Sequence, residues 1–286
     1  GYPIFKMDDI QHAFLFDDNV RCADINEDIF KSFKLEKNDV LFNRVNSEEF
    51  VGRTGIFKLD TKAVFASYLI KLRLTPQILP DYLNIFLNSS FGIKQIRKFR
   101  RRAVNQANVN AEELKQIKIA VLPLDFQKKI QLLCDESWNS FEQSKTLYSQ
   151  AENLLLEELG LKNFKPAEEL SCVVNLSDVK SSRRMDAEYF QPKYEKIVSR
   201  VKKQSKFLPD VVQNVLAKFD PNSQPEKHFR YVELANISSL IGVIDGHTEI
   251  LGREAPSRAR RVLKAGDVIV SSIEGSLEKV ALVDEE

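Results

Sequence analysis

Residues 123–160 read PLDFQKKIQLLCDESWNSFEQSKTLYSQAENLLLEELG, and this stretch decides how the chain is organised. Its apolar residues recur at offsets of three, four and seven, which places them on one face of an α-helix. They are Ile130, Leu133, Cys134, Trp138, Phe141, Leu147, Tyr148, Ala151, Leu154, Leu155 and Leu159. Asp125, just after Pro123, can cap the start, and Gly160 suits a left-handed stop. The pattern predicts one uninterrupted amphipathic helix of about 50 Å.

A helix this long with a single apolar stripe is expected to pack along a second long helix, in a contact of coiled-coil type. The residues that we expect in this contact are Ile130, Trp138, Phe141, Tyr148, Leu155 and Leu159. If the partner helix is not part of this chain, some of the stripe must remain exposed.

The composition favours a water-soluble, reduced, cytoplasmic protein of more than one domain. Of 286 residues 43% are apolar and 29% charged, and no apolar run approaches the roughly 20 residues that span a bilayer. Cys22, Cys134 and Cys172 lie far apart, which argues against disulfides. His12, His228 and His247 are not at ligand spacing, so no metal site is predicted.

Positive charge is concentrated in two places, although the formal net charge is only +1. Residues Lys94–Arg102 (KQIRKFRRR) hold six basic residues and no acid, and Arg253–Lys264 holds five against one Glu. Such runs are usually solvated loops. Two clusters in a nearly neutral chain nevertheless favour contact with a polyanion.

Short strands are predicted on both sides of the long helix, from β-branched and aromatic runs bounded by turn residues. Before it they are Pro3–Met7, Asp39–Asn43, Gly52–Leu59, Val64–Leu72 and Ile117–Val121. After it they are Tyr231–Leu234, Gly242–Ile244, Asp267–Ser271 and Lys279–Val283. Pro80 opens a helix that falters at Asn88–Ser90 and Gly92, and Pro192 opens another. The fold class is therefore α+β.

A degenerate long repeat relates the two strand-rich parts. Residues 37–42 (KNDVLF) match 265–270 (AGDVIV), residues 7–10 match 234–237, and residues 51–57 resemble 277–283. The three offsets lie between 226 and 228, as the residue numbers show. We therefore expect two related domains, and a chain that lacks the start of the first copy and the end of the second.

Several segments resemble the specificity subunit of type I restriction-modification systems. They are DVLFNRVNSEEFVGRTGIF (39–57), FASYLIKLRL (65–74), AVNQANVNAEELKQIKI (103–119), LPLDFQKKI (122–130), LLLEELGL (154–161), SSRRMDAEYFQPKYE (181–195) and APSRARRVLKAGDVIVSS (255–272). The resemblance covers nearly the whole chain, and the first five segments occur in the family's order.

The resemblance implies a non-catalytic, DNA-binding chain with two β-rich target-recognition domains joined by a long helix. The first would comprise residues 1–122, the spacer helix 123–160 and the second domain 161–286. Each domain would read one half of a split target in double-stranded DNA. Separate methyltransferase subunits and a restriction/translocase subunit would dock on this chain. No cofactor is expected on this chain, and S-adenosylmethionine is expected in the methyltransferase partner.

The candidate DNA-binding residues come from the basic clusters and from polar turns beside predicted strands. They are Arg44, Asn46, Lys98, Arg100, Arg101, Arg102, Asn105, Gln106, Arg258, Arg260 and Arg261. Arginines can hold phosphates, and Asn or Gln amides can read adenine edges. Asn also favours turns. Residues 103–119 resemble a motif that is shared by family members that recognise different DNA sequences. A structural role is therefore favoured for the amides of Asn105 and Gln106.

Two alternatives remain open at this point. The chain could be the recognition portion of a single-chain restriction-methyltransferase, or a protein-interaction scaffold whose basic loops are merely solvated. No catalytic residues are predicted, because the sequence has no Asp-Pro-Pro-Tyr or Asn-Pro-Pro-Tyr segment and no phosphate-binding loop.

Overall fold

A computed structural model describes residues 1–18, 20–48, 50–103, 106–166, 169, 171–201, 205–215 and 218–284. The chain forms two compact units, Gly1–Glu142 and Gln143–Glu286, and the division falls inside the long helix. Helices and short strands are combined in the described residues, which confirms the predicted α+β class. The domain limits at residues 122 and 160 stay a prediction.

The strands of the first unit are short. They are β1 (Tyr2–Phe5), β2 (Ile10–Gln11), β3 (Phe14–Leu15), β4 (Arg21–Ala23), β5 (Val40–Asn43), β6 (Val45–Asn46), β7 (Thr54–Ile56), β8 (Val64–Phe65), β9 (Leu69–Leu72), β10 (Arg101–Ala103) and β11 (Gln106–Asn108). Its helices are α1 (Glu27–Phe33), α2 (Pro80–Asn88), α3 (Ser90–Phe99), α4 (Ala111–Leu114) and the first part of α5 (Leu124–Glu158). The predicted strand Val64–Leu72 is two strands, because the Leu69 N–H donates to the Ala66 carbonyl and closes a turn between them.

A five-stranded sheet of order β2-β3-β7-β5-β9 holds the core of this unit. Strand β5 is antiparallel to both neighbours, with Val40 opposite Ile56 on β7 and Leu72 on β9. Val40, Leu41 and Phe42 are fully inaccessible to solvent. A short apolar run of this kind suits a strand that is covered on both faces. Two three-stranded sheets, β4-β1-β8 and β10-β11-β6, lie in the same unit.

Helices α2 and α3 meet at the break that the sequence predicts. The Ser89 N–H donates to the Phe86 carbonyl, and the Ser89 hydroxyl accepts from the Gly92 N–H and caps α3. A Cβ on Gly92 would lie 2.3 Å from the Phe86 carbonyl oxygen. The two helices can therefore approach this closely only at a glycine.

Helix α5 begins one residue earlier than its predicted cap. The Pro123 carbonyl accepts hydrogen bonds from the N–H groups of Phe126 and Gln127, so the helix starts at Leu124. Asp125 lies inside the first turn and is not the capping residue, which corrects the expectation from sequence.

The end of α5 confirms the predicted glycine stop. Gly160 has a φ of 66°, its N–H donates to the Glu157 carbonyl, and the Leu161 N–H donates to the Leu156 carbonyl. These two bonds are those of a Schellman motif, which satisfies the last carbonyls of the helix.

The first half of α5 packs on the sheet of the first unit. Trp138 stacks on Phe16 with ring centroids 5.7 Å apart, and it lies 5.3 Å from Phe14. The expectation of a helical partner is wrong for this half, because aromatic rings from β3 and the residues after it supply the complementary apolar surface. The residues of this contact are Phe14, Phe16, Val40, Ile56, Leu72, Ile130, Cys134, Trp138 and Phe141.

A buried ion-pair network joins α5 to α2. The Lys58 ammonium lies 2.7 Å from a carboxylate oxygen of Asp81 on α2 and 2.7 Å from one of Asp135 on α5. The side chains of Lys58 and Asp81 are 3% and 0% exposed. Burial raises the pKa of Asp81, and Lys58 only partly offsets this effect. Burial lowers the pKa of Lys58, but the two carboxylates outweigh it, so the ammonium stays charged.

The predicted strand Ile117–Val121 is wrong. This segment belongs to no helix or strand and pairs with no strand in the described residues. Instead the Gln95 side chain donates to the Lys118 carbonyl over 2.9 Å and accepts from the Lys118 N–H over 2.9 Å. One amide side chain therefore takes the place of a strand partner.

The second unit contains the rest of α5 and a further set of short elements. They are α6 (Leu176–Ser182), α7 (Pro192–Val201), β12 (His228–Tyr231), β13 (Ile237–Ser238), β14 (Val243–Ile244), β15 (Thr248–Leu251), β16 (Val268–Val270) and β17 (Val280–Leu282). A four-stranded sheet has the order β13-β14-β17-β16, and β12 pairs with β15.

This sheet repeats the first one, which confirms the predicted duplication. The order β13-β14-β17-β16 corresponds strand by strand to β2-β3-β7-β5, with the same parallel pair between its two middle strands. Both copies begin with a short 3-10 helix, Met7–Asp9 or Leu234–Asn236.

Equivalent turns precede the equivalent strands β5 and β16. In the first copy the Glu36 N–H donates to the Asp39 carboxylate, and in the second the Lys264 N–H donates to the Asp267 carboxylate. The preceding residue has positive φ in both, 71° at Asn38 and 87° at Gly266. Asp39 and Asp267 therefore shape a turn, as their position before a strand indicates.

The two copies differ in what covers the sheet. Val40 and Phe42 are fully buried in the first unit, whereas the equivalent Val268 and Val270 are 62% and 66% exposed. The first unit covers this face with elements from residues 64–141. The second sheet has no comparable cover among the described residues of its own unit.

We expect Lys58→Met to lower the free energy of unfolding by about 3–5 kcal/mol at neutral pH, because Asp81 would remain charged, buried and unpaired. Urea unfolding followed by circular dichroism measures this loss. The double variant Lys58→Met/Asp81→Leu removes both charges and should regain most of it. As the pH falls through the raised pKa of Asp81, this carboxylate takes up a proton and the loss in the single variant should shrink. Equal stability of the single and double variants at neutral pH would contradict the network's role.

Cys134 reports on the contact between α5 and the sheet. Burial raises the pKa of its thiol to about 11, whereas Cys22 and Cys172 are exposed. We expect iodoacetamide at about pH 8 to alkylate Cys22 and Cys172 in the folded protein and to spare Cys134, because the reactive species is the thiolate. Mass spectrometry of the labelled peptides, with urea-unfolded protein as the reference for full labelling, measures this. Rapid labelling of Cys134 in the folded protein would show that the contact is open.

Candidate nucleic-acid interface

The structure brings the first basic run and the predicted polar turns together. Helix α3 ends where the Arg100 N–H donates to the Ile96 carbonyl, and the chain then turns into the hairpin β10–β11. Strand β11 pairs with β6, so that Asn46 lies opposite Ala107. The segments that carry Arg44, Asn46, Gln106 and the arginines therefore form one small sheet.

Glu48 binds two of the three consecutive arginines. Arg100 donates to the Glu48 carbonyl over 3.0 Å and to its carboxylate over 2.9 Å, and its side chain is only 12% exposed. Arg102 lies 2.9 Å from the other carboxylate oxygen. Arg100 is thus an internal brace between α3 and the turn after β6.

Arg101 is held by Glu113, the acid of a capping box at the start of α4. Glu113 accepts from the Asn110 N–H, and the Asn110 side chain accepts from the Glu113 N–H. The Asn110 N–H and the Arg101 guanidinium lower the pKa of the Glu113 carboxyl. All three arginines therefore have a carboxylate partner within the chain, with Glu48 shared between two of them, although Arg101 and Arg102 remain solvent-accessible.

The basic side chains of helix α3 itself differ from these arginines in their contacts. Lys94, Arg97 and Lys98 are exposed, and no acid lies within α3. Lys98 lies over the Phe99 ring at 5.4 Å. Lys94 and Arg97 have no ion-pair partner among the described residues. The sequence analysis placed both in a basic run expected to contact a polyanion but did not include them among the candidate DNA-binding residues, although their spacing of three along a helix was a usable signal.

The polar side chains predicted beside this hairpin have separate roles. Arg44 is half-buried, and its Nε atom has no hydrogen-bond partner in the described part of the chain. The Asn46 side chain accepts from the Ser47 N–H over 2.7 Å, which is a turn contact. Gln106 is exposed on β11. Asn105 lies outside the described residues, so its predicted role stays a prediction.

Residues of the second basic cluster are also paired within their unit. Arg258 donates to the Tyr231 hydroxyl over 3.3 Å and lies 3.6 Å from Glu233. Arg260 pairs with Asp220, and Arg261 donates to the Val215 carbonyl over 3.4 Å. The hydrogen bond to Tyr231 raises the pKa of Arg258. These arginines tie neighbouring segments of the second unit together.

The later part of the α5 stripe is largely exposed, in agreement with the sequence analysis. Tyr148 is 44% exposed and Leu155 59%, while Leu159 is partly buried. The Tyr148 hydroxyl lies beside Gly242, within 3.1 Å of where a Cβ would stand. Further exposed leucines on the helix are Leu132, Leu133, Leu147 and Leu154.

The described residues contain neither a candidate metal site nor a candidate membrane span. They contain no group of three or more His, Cys, Asp or Glu arranged to hold a metal ion. Within the same residues no helix is both long and apolar enough to cross a membrane.

Comparisons with known proteins point to one family. Residues 1–136 match the family described as type I restriction modification DNA specificity domain. The putative type I restriction enzyme MjaX specificity subunit of Methanocaldococcus jannaschii is 31% identical over 133 residues, which are 46% of this chain and 31% of that protein. The type I restriction enzyme EcoKI specificity subunit of Escherichia coli is 25% identical over 158 residues, 54% of this chain and 33% of that protein.

A solved structure shares a shorter segment. The HsdS subunit from Thermoanaerobacter tengcongensis is 42% identical over 24% of this chain and 18% of that chain, with a TM-score of 0.23. This chain matches about a third of the length of its curated relatives.

Arg100 and Arg97 allow a direct test of the bracing role. We expect Arg100→Ala to lower the free energy of unfolding by about 1–2 kcal/mol, because it removes two hydrogen bonds to Glu48 from a nearly buried side chain. Arg97→Ala, a matched loss of one charge three residues earlier, should change it by no more than about 0.5 kcal/mol. Urea unfolding measures both. Equal values for the two variants would show that Arg100 is not a brace.

Proposed function

We propose that this chain is the DNA-recognition subunit of a type I restriction-modification system, because residues 1–136 match the family described as type I restriction modification DNA specificity domain. In this proposal it reads a bipartite target in double-stranded DNA and recruits the subunits that methylate or cut. The catalytic groups and S-adenosylmethionine belong to those partners. The biological role is host defence against foreign DNA.

The duplicated sheet is the observation that carries the bipartite part of the proposal. Both units have the same four-strand order and the same turn before the strand that begins at Val40 or Val268. Two copies of one framework suit the reading of two half-targets. Different side chains on the two copies would then select different bases.

Helix α5 is the natural spacer in this proposal, because one continuous helix of 35 residues enters both units. A helix resists changes in its length, so its residue count would set the separation of the two half-targets. The exposed apolar side chains of its later part are suited to burial against another helix or a methyltransferase subunit. A restriction/translocase subunit would complete the assembly.

Selection from a random duplex library tests the recognition role. The purified chain should enrich a motif of two short constant blocks separated by a fixed number of unselected base pairs. Methyltransferase subunits can be included if the chain alone binds too weakly. A single contiguous block would contradict the bipartite reading, and no enrichment with or without these subunits would contradict sequence recognition itself.

The spacer role predicts how the motif changes when α5 is lengthened. Inserting one turn of about four residues after Gln143 adds about 6 Å of helix, and should lengthen the gap between the blocks by about two base pairs. The same residues inserted after Gly246, in a turn of positive φ with open space around it, form the matched control. The control should leave the gap unchanged. A constant gap in both variants would refute the spacer role without touching the recognition role.

A further inference from the structure

The outer face of helix α3 is a positively charged surface, and no acid among the described residues pairs with its Lys94 or Arg97. Lys94, Arg97 and Lys98 are three and four residues apart, so their Cβ atoms are roughly 5–6 Å from one another on one side of the helix. All three side chains are exposed. Resting on the proposed DNA-recognition function, we propose that this face binds the phosphate backbone of the DNA duplex.

The inward face of α3 fixes the orientation of these cations. Ile96 is 1% exposed and packs with Phe42, Val51 and Val109 of the core. On the flank, Gln95 is committed to both backbone groups of Lys118. The helix is therefore held to the core on one side, and its opposite side is presented to solvent. Cations on a fixed helix lose less conformational freedom on binding than cations on a loop.

The contrast with the neighbouring arginines shows which charges are available. Arg100, Arg101 and Arg102 follow directly in sequence, yet each has a carboxylate of Glu48 or Glu113 within ion-pair distance. A phosphate would have to compete with these carboxylates. On α3 no such competition exists, because the helix contains no acid and neither Lys94 nor Arg97 has an ion-pair partner in the described residues. The cations of α3 are therefore more available to a phosphate than the neighbouring arginines.

An exposed aromatic ring at the start of the same face adds an apolar contact. Phe91 is 73% exposed and lies three residues before Lys94 and seven before Lys98, which puts it on the same side of the helix. DNA offers flat apolar sugar and base edges between its phosphates, and apolar side chains of minor-groove proteins exploit them. A face of three cations with one exposed ring matches that combination of charge and apolar surface.

Nonspecific binding to a duplex tests this contact without knowledge of the target, because phosphate contacts do not depend on sequence. The full chain is titrated against a fluorescein-labelled duplex of mixed sequence between about 50 and 200 mM KCl. We expect Lys94→Ala/Arg97→Ala/Lys98→Ala to weaken binding about 10- to 100-fold at the lower salt concentrations, and to reduce the slope of log K against log salt by about 2–3. Alanine favours helix, so the variant should keep its fold, which circular dichroism checks.

Lys31→Ala/Lys37→Ala/Lys62→Ala is the matched control. It removes the same charge from exposed positions of the same unit, outside α3. We expect it to leave the slope close to that of the wild type. Phe91→Ala should weaken binding by the same factor at every salt concentration and leave the slope unchanged, because its contact is apolar.

The outcomes separate this inference from the function on which it rests. A wild-type chain without salt-dependent duplex binding would contradict the DNA-recognition role as a whole. A wild-type chain that binds, with an unchanged slope in the α3 variant, would overturn the α3 contact alone. An equal fall of the slope in the control would also overturn it. So would an unchanged slope combined with lost assembly with methyltransferase subunits, since the face would then be a protein contact.

Discussion

The attachment of α5 to the first sheet is the constraint on which this architecture depends. Gln127, fully buried in the first turns of the helix, accepts from the Leu79 N–H and donates to the carbonyls of Gln77 and Leu122. Two turns later Asp135 meets Lys58. Sliding the helix by one turn would leave these buried polar groups unsatisfied, at a cost of about 1–3 kcal/mol for each neutral group and more for charged ones. The apolar contact around Trp138 supplies attraction, and the polar groups fix its register.

The duplication shows how little sequence is needed to keep one framework. The two copies share few identical residues, yet equivalent hydrogen bonds recur. The Phe57 N–H donates to the Asp39 carbonyl and the Val283 N–H to the Asp267 carbonyl, both over 2.9 Å. The two copies preserve the turn before β5 or β16, its pairing with β7 or β17, and the parallel pair β3–β7 or β14–β17. Side chains on that framework are free to differ, and in the first copy they are buried by elements that have no counterpart over the second sheet among the described residues of its unit.

Much of the fold could be predicted from local sequence patterns, because the interactions that form these elements join residues that are close together in the sequence. The periodicity of α5, the glycine stop and the break before Gly92 depend on residues within one or two turns of each other. The repeat was visible in the sequence because three pairs of matching segments are separated by nearly the same number of residues. The strand predicted at Ile117–Val121 was wrong because extended backbone needs a partner, and here a glutamine side chain 23 residues away supplies it.

The candidate site was harder to predict, since charge in a sequence does not reveal its partner. Glu48 is 52 residues from Arg100, so nothing local distinguishes this braced arginine from Arg97, which has no ion-pair partner among the described residues. Only the burial of Ile96 shows which side of α3 faces water.

Burial and pairing also explain how a chain of net charge +1 can present a cationic face. In both units some carboxylates hold arginines where segments meet, such as Glu48 with Arg100 and Asp220 with Arg260. Helix α3, beside the hairpin, carries three exposed cations and no acid. Such a division lets bracing arginines keep the framework constant, while the segments between framework strands remain free to vary.

In the repeat alignment the Arg258–Arg261 segment of the second unit occupies the place of α1 in the first. One framework thus carries a helix with two acids in its first turn in one copy and a paired arginine loop in the other. The residues that distinguish two half-targets belong in such unequal connections, because residues common to both copies cannot tell two sequences apart.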